Sequence, residues 1–248
     1  DLHLCDRRQR QMCIRDRIVA SAENGTIISD CLNKGKVGNG LQCNVIGGIV
    51  GQASSLTIKH CVNEGRVVGH ADTQYMGGIV GHCLNSYYGN NLIDQCINRG
   101  NLEGGKKYVG GIAGWIQGGV TNCTNEVAID VQAEYLGAIC GYVGENVNHF
   151  VNNSNTSSSS LPLIGQDSRP PLVGAVTVSE ITSTSVTLSA QILDMGGAEC
   201  TSKGFTLSTQ EGAYGDEKES EATVEAGQIK LTITGPVSYT HLTLPTIA

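Results

Sequence analysis

The chain has 248 residues, 16 basic and 23 acidic side chains and a formal charge of −7. Glycine is abundant (33 residues) and aromatics make up only 4%, with no long apolar run. That balance argues against nucleic acid and anionic membranes as partners, and the length suits one or two domains.

The two ends come first. One codon string for residues 6–17 (DRRQRQMCIRDR), read on its complementary strand, encodes VSYTHLTLPTI, the sequence of 237–247. Ends that encode one another backwards resemble translated sequencing adapter. Residues 1–17 and 236–248 are therefore expected to be adapter-derived artefacts with no place in the fold. The natural part of this shotgun-type, metagenomic fragment then runs over 18–235, open at both ends. Removing five arginines and three aspartates leaves 11 basic and 20 acidic residues.

From residue 18 a two-part phrase recurs. Its first half is CLNKGKV (31–37), CVNEGRV (61–67), CINRGNL (96–102) and a decayed CTNEVAI (123–129); its second half is VIGGIVG, YMGGIVG, YVGGIAG and YLGAICG. The cysteines are 30, 35 and 27 residues apart and the leading glycines (47, 77, 110, 137) are 30, 33 and 27 apart, so both halves drift together. Length variation collects in insertions such as 85–91 (NSYYGNN), an expected outward loop whose Tyr87, Tyr88 and Asn90 are candidate ligand contacts. The last copy is expected at 147–152, with Phe150 in the place of the cysteine and Asn152 in that of the asparagine.

Short β-branched segments punctuated by glycine predict strands and tight corners, and a period near thirty predicts one repeat per coil. The expected fold is all-β, a parallel β-solenoid (β-helix) over 18–153, with equivalent residues stacked about 4.8 Å apart. Three apolar files follow: Ile28/Ile58/Ile93/Val120/Val147, Val37/Val67/Leu102/Ile129 and Ile49/Ile79/Ile112/Ile139. Asn33, Asn63, Asn98, Asn125 and Asn152 are expected to form an amide ladder. Gly35, Gly65 and Gly100 are expected at a corner of positive φ, with Val127 breaking their file. Lys34, Glu64, Arg99 and Glu126 form an outward charge ladder, and Tyr75, Tyr108 and Tyr135 a ring file.

The cysteines Cys31, Cys61, Cys96 and Cys123 allow several chemistries. A linear file cannot converge as zinc ligands do, and four equivalent thiols are the wrong pattern for one nucleophile, although His60 adjoins Cys61. Buried packing is the favoured role; bridges between rungs stay open on distance. GGIVG lacks the spacing of a dinucleotide or phosphate loop. Histidines 60, 70, 82 and 149 are scattered. No metal, cofactor or catalytic residue is expected. Asp30 and Asp94, near the starts of the cysteine strands, lie two rungs apart with no opposing acid, unlike the paired carboxylates of a glycosidase.

The alternation of CxNxGxV with YxGGIVG resembles GLUG-type repeats of large bacterial cell-surface proteins, including adhesin-like proteins and non-catalytic parts of immunoglobulin A peptidases. The resemblance covers 18–153 and implies a secreted or surface-anchored location, with an extracellular glycan or protein as partner and no membrane insertion in this segment. A fragment of a β-helix polysaccharide lyase or glycoside hydrolase, or an accessory region of a surface peptidase, is the competing class.

Residues 154–170 continue a serine-rich stretch and are expected to be a linker. Period-two alternation then runs through Val186, Leu188, Ala190 and Ile192, through Phe205 and Leu207, and through Ile229, Leu231 and Ile233. It predicts an incomplete antiparallel Ig-like β-sandwich over 171–235. The string SEITSTSVTLSAQILDMGGAECTSKGFTLST resembles fibronectin type III-like modules of bacterial surface proteins.

Overall fold

The computed structural model describes residues 19–23, 25–84, 91–144, 149–182, 184–197, 203–208, 218–221, 223–225, 227–234 and 241–247. Among these, all regular structure is β. The chain divides into two compact units, Asp1–Arg169 and Pro170–Ala248. Val147 and the loop residues Tyr87, Tyr88 and Asn90 lie outside the described residues.

The first unit is a parallel β-solenoid of about four turns. A full turn passes through five short walls, though the valine wall is formed in only some of the turns. The glycine wall stacks Val19–Glu23, Val50–Ser54, Val80–Leu84, Ala113–Ile116, Cys140–Val143 and Ile164–Asp167. The isoleucine wall stacks Ile27–Ser29, Thr57–Lys59, Asn91–Asp94, Gly118–Thr121 and Phe150–Val151. The asparagine wall holds Leu32–Asn33, Val62–Asn63, Ile97–Asn98, Thr124–Asn125 and Ser154–Asn155. A valine wall pairs Val67–Val68 with Leu102–Glu103, and Val37 bridges to Val67. The tyrosine wall stacks Val45–Gly47, Tyr75–Gly77, Tyr108–Gly110 and Tyr135–Gly137.

Register is in phase throughout: Ile28 pairs with Ile58, Ile58 with Ile93, and Ile93 with Val120. The isoleucine-to-asparagine corner is turned by left-handed residues that are not glycine, namely Asp30, His60, Gln95, Asn122 and Asn152, with φ from 51° to 57°. Polar side chains tolerate this region best, and here they point to water. Gly35, Gly65 and Gly100 do not have the positive φ expected of them. Gly65 and Gly100 are glycines because rungs meet there: a Cβ built on Gly65 would collide with the Gly35 carbonyl and lie 2.7 Å from Asn33 Nδ2, whereas one on Gly35 meets only an ordinary contact.

The interior is divided in two. One core holds Ile49, Ile58, Ile79, Ile93, Ile112 and Ile139 with Cys61, Cys96 and Cys123. The other holds Val37, Ile46, Val67, Met76, Leu102, Val109 and Ile129. Between them the asparagine side chains press on the opposite wall. A Cβ on Gly48 would lie 2.6 Å from Asn63 Cγ, and one on Gly111 2.5 Å from Asn125 Cγ. The second glycine of each GGI phrase thus makes room for the amide. In the final copy the position is Ala138, on the rung leading to the less buried Asn155.

Two expectations are corrected at the C-terminal end of the solenoid. Phe150 pairs with Val120, so it enters the isoleucine file and not the cysteine file, and Asn155, not Asn152, pairs with Asn125. The register is shifted by three residues because the large ring fills an isoleucine site and Asn152 is needed at the corner. Part of the expected linker 154–170 is also solenoid: Ser154–Asn155 and Ile164–Asp167 pair with the rung below.

In the second unit, Leu172–Val173, Ser185–Asp194, Gln228–Thr234 and Thr223–Glu225 form an antiparallel sheet, and Thr177–Ser179 also pairs with Ser185–Asp194. Alternate residues Val186, Leu188, Ala190 and Ile192 join Phe205, Ile229, Leu231 and Ile233 in one small core. Lys203–Ser208 pairs antiparallel with Lys218–Glu221 and with His241–Ile247. The last of these falls in 236–248, expected to take no part in the fold, yet it supplies an edge strand.

Candidate functional site

The asparagine file is a continuous chain of side-chain bonds. Asn33 Nδ2 donates to Asn63 Oδ1 (2.8 Å), Asn63 to Asn98 (3.0 Å), Asn98 to Asn125 (3.0 Å) and Asn125 to Asn155 (3.3 Å). The first four amides also donate to the carbonyl two residues on, those of Gly35, Gly65, Gly100 and Val127. Asn63, Asn98 and Asn125 are fully buried, so these partners replace water.

The cysteine file lies inside the first core. Cys31, Cys61, Cys96 and Cys123 each donate Sγ–H to the carbonyl two residues earlier, at 3.2–3.3 Å. Cys61, Cys83, Cys96, Cys123 and Cys140 are free thiols. Hydrogen bonding to the next thiol and burial push Cys61 up, and burial does the same to Cys83 and Cys140. Such thiols stay protonated and are poor nucleophiles. His60 is not brought to Cys61: the left-handed corner turns it outward, where its Nδ1 lies 3.5 Å from Asp30 Oδ1. Among the described residues no three His, Cys, Asp or Glu side chains converge on a metal position.

Outside, Lys34, Glu64, Arg99 and Glu126 alternate along the asparagine wall at N–O distances of 3.9, 3.6 and 2.9 Å. At the adjacent corner an open polar cleft of about 620 Å³ is lined by His60, Gln95, Ile97, Asn122 and Thr124. Beside it, Asp94 accepts from Thr121 Oγ1 (2.6 Å), Asn122 Nδ2 (2.9 Å) and Gln95 Nε2 (2.9 Å). The Thr121 bond, above all, holds its carboxyl below the usual range. That suits a fixed acceptor and not a general acid, whose pKa must be raised. Asp30 does not share a file with Asp94, which aligns with Lys59 and Ser29.

A band of rings lies over the tyrosine and glycine walls. Tyr75, Tyr108 and Tyr135 stack at 5.3 and 5.2 Å, within 15° of parallel. A second file beside them, His82, Trp115 and Tyr142, is in register through paired strands. His82 stacks on Tyr75 at 4.2 Å and 12°, Trp115 is turned 42° from His82, and Tyr142 a further 34° from Trp115. Five of the six rings are half-buried; His82 is 9% exposed. Its Nε2 is buried without a hydrogen-bond partner, and burial lowers its pKa to about 4, so it is neutral. The rows meet because glycines line the fold between the walls: a Cβ on Gly114 would lie 2.6 Å from Met76 N, and one on Gly141 2.5 Å from Val109 N.

Comparison with protein-family models, curated proteins and solved structures returns no match. The site must therefore be read from its own chemistry. The sequence signals the tyrosine file by repetition. It hides the second file, whose members Gln52, His82, Trp115, Tyr142 and Gln166 share only a position, directly after the last glycine of the phrase.

Proposed function

We propose that this chain is a non-catalytic structural and adhesive segment of a secreted or surface-anchored bacterial protein. The solenoid serves as a stiff rod that displays a contact surface for extracellular glycan or protein. The repeated phrases, which resemble GLUG-type repeats, and the C-terminal unit, which resembles a fibronectin type III-like spacer with an Ig-like sandwich plan, support this reading. The observation that carries it is the use of the repeat's polar groups. Asparagines, charged residues and corner residues bond from rung to rung along the rod, which stiffens a scaffold, whereas catalysis needs groups that converge on one point.

The cleft at Asp94 and His60 favours a second reading, a fragment of a β-helix lyase or glycoside hydrolase. One experiment separates them. The purified chain is applied to arrays of glycans and extracellular-matrix proteins while soluble polysaccharides are assayed for new reducing ends and unsaturated uronates. Retention without product is the expected result. Product formation abolished by Asp94→Asn would overturn the adhesive reading.

A further inference from the structure

We propose that the six-ring band is a binding platform for a neutral, extended, β-linked glycan lying parallel to the solenoid axis. This assignment rests on the adhesive reading and gives it a site and a ligand class.

Three features of the band select that ligand. The first is spacing. The tyrosine file repeats every 5.2–5.3 Å along the axis, close to the length of one pyranose unit in an extended β-linked chain. Successive sugars then meet equivalent positions, whereas an α-linked chain coils away.

The second is orientation. Rings that stack only on one another offer edges and hydroxyls to solvent, and a sugar needs a ring face beneath its axial hydrogens. The second file provides faces by fanning open. His82 lies nearly parallel to Tyr75, but Tyr142 stands 73° from Tyr108 and 72° from Tyr135. The ring planes thus turn from across the axis to along it. Tyr142 is held there by its hydroxyl, 2.9 Å from Ser168 Oγ.

The third is charge. The Lys107 ammonium sits 5.0 Å from the Tyr108 ring centre, and the neighbouring Glu134 carboxylate raises the pKa of the Tyr135 phenol. One cation and one anion flank the stack, His82 is neutral, and the chain as a whole is at −7. An anionic polymer is disfavoured by that field. A neutral polyhydroxyl chain, with indole N–H and phenol groups to bond and faces to cover, is the complementary partner.

Trp115 is the chain's only tryptophan, so its emission reports on this band alone. The test titrates the intact chain with cellohexaose, with maltohexaose as the α-linked control, and follows retardation in gels containing hydroxyethylcellulose. Cellohexaose is expected to shift Trp115 emission saturably and maltohexaose to leave it unchanged. Trp115→Ala and Tyr142→Ala, read by retardation, are expected to weaken binding by about tenfold or more. Tyr108→Phe, which keeps the stack and loses one hydroxyl, should weaken it less. Thermal melts show whether each variant is folded; if an alanine variant is not, Tyr142→Phe and Tyr108→Phe carry the test. A flat emission titration, equal response to both hexaoses, or full retardation of folded Trp115→Ala would overturn the assignment. If the arrays capture the chain through a protein or another glycan and these variants do not matter, the adhesive reading stands and this site falls. If neither the arrays nor the hexaoses bind, both fall.

Discussion

The two units solve the problem of a small β core in opposite ways. The second unit places alternate apolar side chains of antiparallel strands against one another, so that Leu188, Ala190, Phe205 and Ile229 are buried by unlike neighbours. The solenoid buries each residue against copies of itself, and even a fully buried amide such as Asn98 is satisfied by the amides on either side. Repetition therefore lets polar groups enter the core, and it makes each rung depend on the rungs above and below. The antiparallel sheet tolerates local change better.

That contrast can be broken or sharpened by experiment, with Trp115 emission in urea titrations reporting the solenoid and far-UV ellipticity the whole chain. The largest effect is expected in alkali. Cys61, Cys83, Cys96 and Cys140 are held protonated in the fold, while unfolded thiols ionise near about 8.5. The unfolded state then carries fewer protons, so the stabilisation is complete below that pH and is lost as pH rises above it, by up to about 1.4 kcal/mol per pH unit for each thiol. A solenoid transition that does not move between neutral pH and alkali would contradict this. Next, Asn98→Ala leaves Asn63 Nδ2 and the Gly100 amide without their acceptor and should cost about 4 kcal/mol. Thr187→Ala, which removes a hydroxyl paired with Glu180 and Thr232 in the second unit, should cost about 1 kcal/mol.

Gly78→Ala drives a methyl into the Gly111 carbonyl and the Asn98 amide and should cost about 3 kcal/mol. Gly174→Ala meets only ordinary contacts at 3.5–3.7 Å and should stay within about 0.5 kcal/mol of the parent. Equal costs for these two would remove the distinction between the units. A smaller effect is expected in acid. His82, depressed to about 4 in the fold, contributes stability that is present above about pH 6.5 and lost as pH falls towards 4, on the order of 2 kcal/mol. His82→Phe should flatten that part of the profile. The smallest effect belongs to the exposed Arg66–Glu103 pair. Glu103→Gln should change stability by less than about 1 kcal/mol and only at low salt.

Much of the fold was legible because stacking demands chemical identity from rung to rung. The repeated cysteines, asparagines and isoleucines encode the walls, and their spacing encodes one coil per repeat. The reading failed where identity and position part company. Phe150-Val151-Asn152 mimics Cys61-Val62-Asn63 in sequence, but ring volume and the need for a polar left-handed corner move the true match to Asn155. Gly65 and Gly100 repeat because no side chain fits against the rung before, a constraint that a single copy does not reveal. Half of the aromatic band escaped notice because glutamine, histidine, tryptophan and tyrosine occupy one file. A surface site is free to vary its residues, and only the buried scaffold is bound to repeat them.

The amide file has a further consequence, which concerns direction. Every link runs the same way, Nδ2 towards the next rung and Oδ1 towards the one before. The series opens at Asn33 Oδ1, capped by the Gly35 amide, and closes at Asn155 Nδ2, capped by the Ser159 carbonyl. Five aligned dipoles give the rod an electrical polarity, negative towards its first coil and positive towards its last, as backbone groups do in a helix.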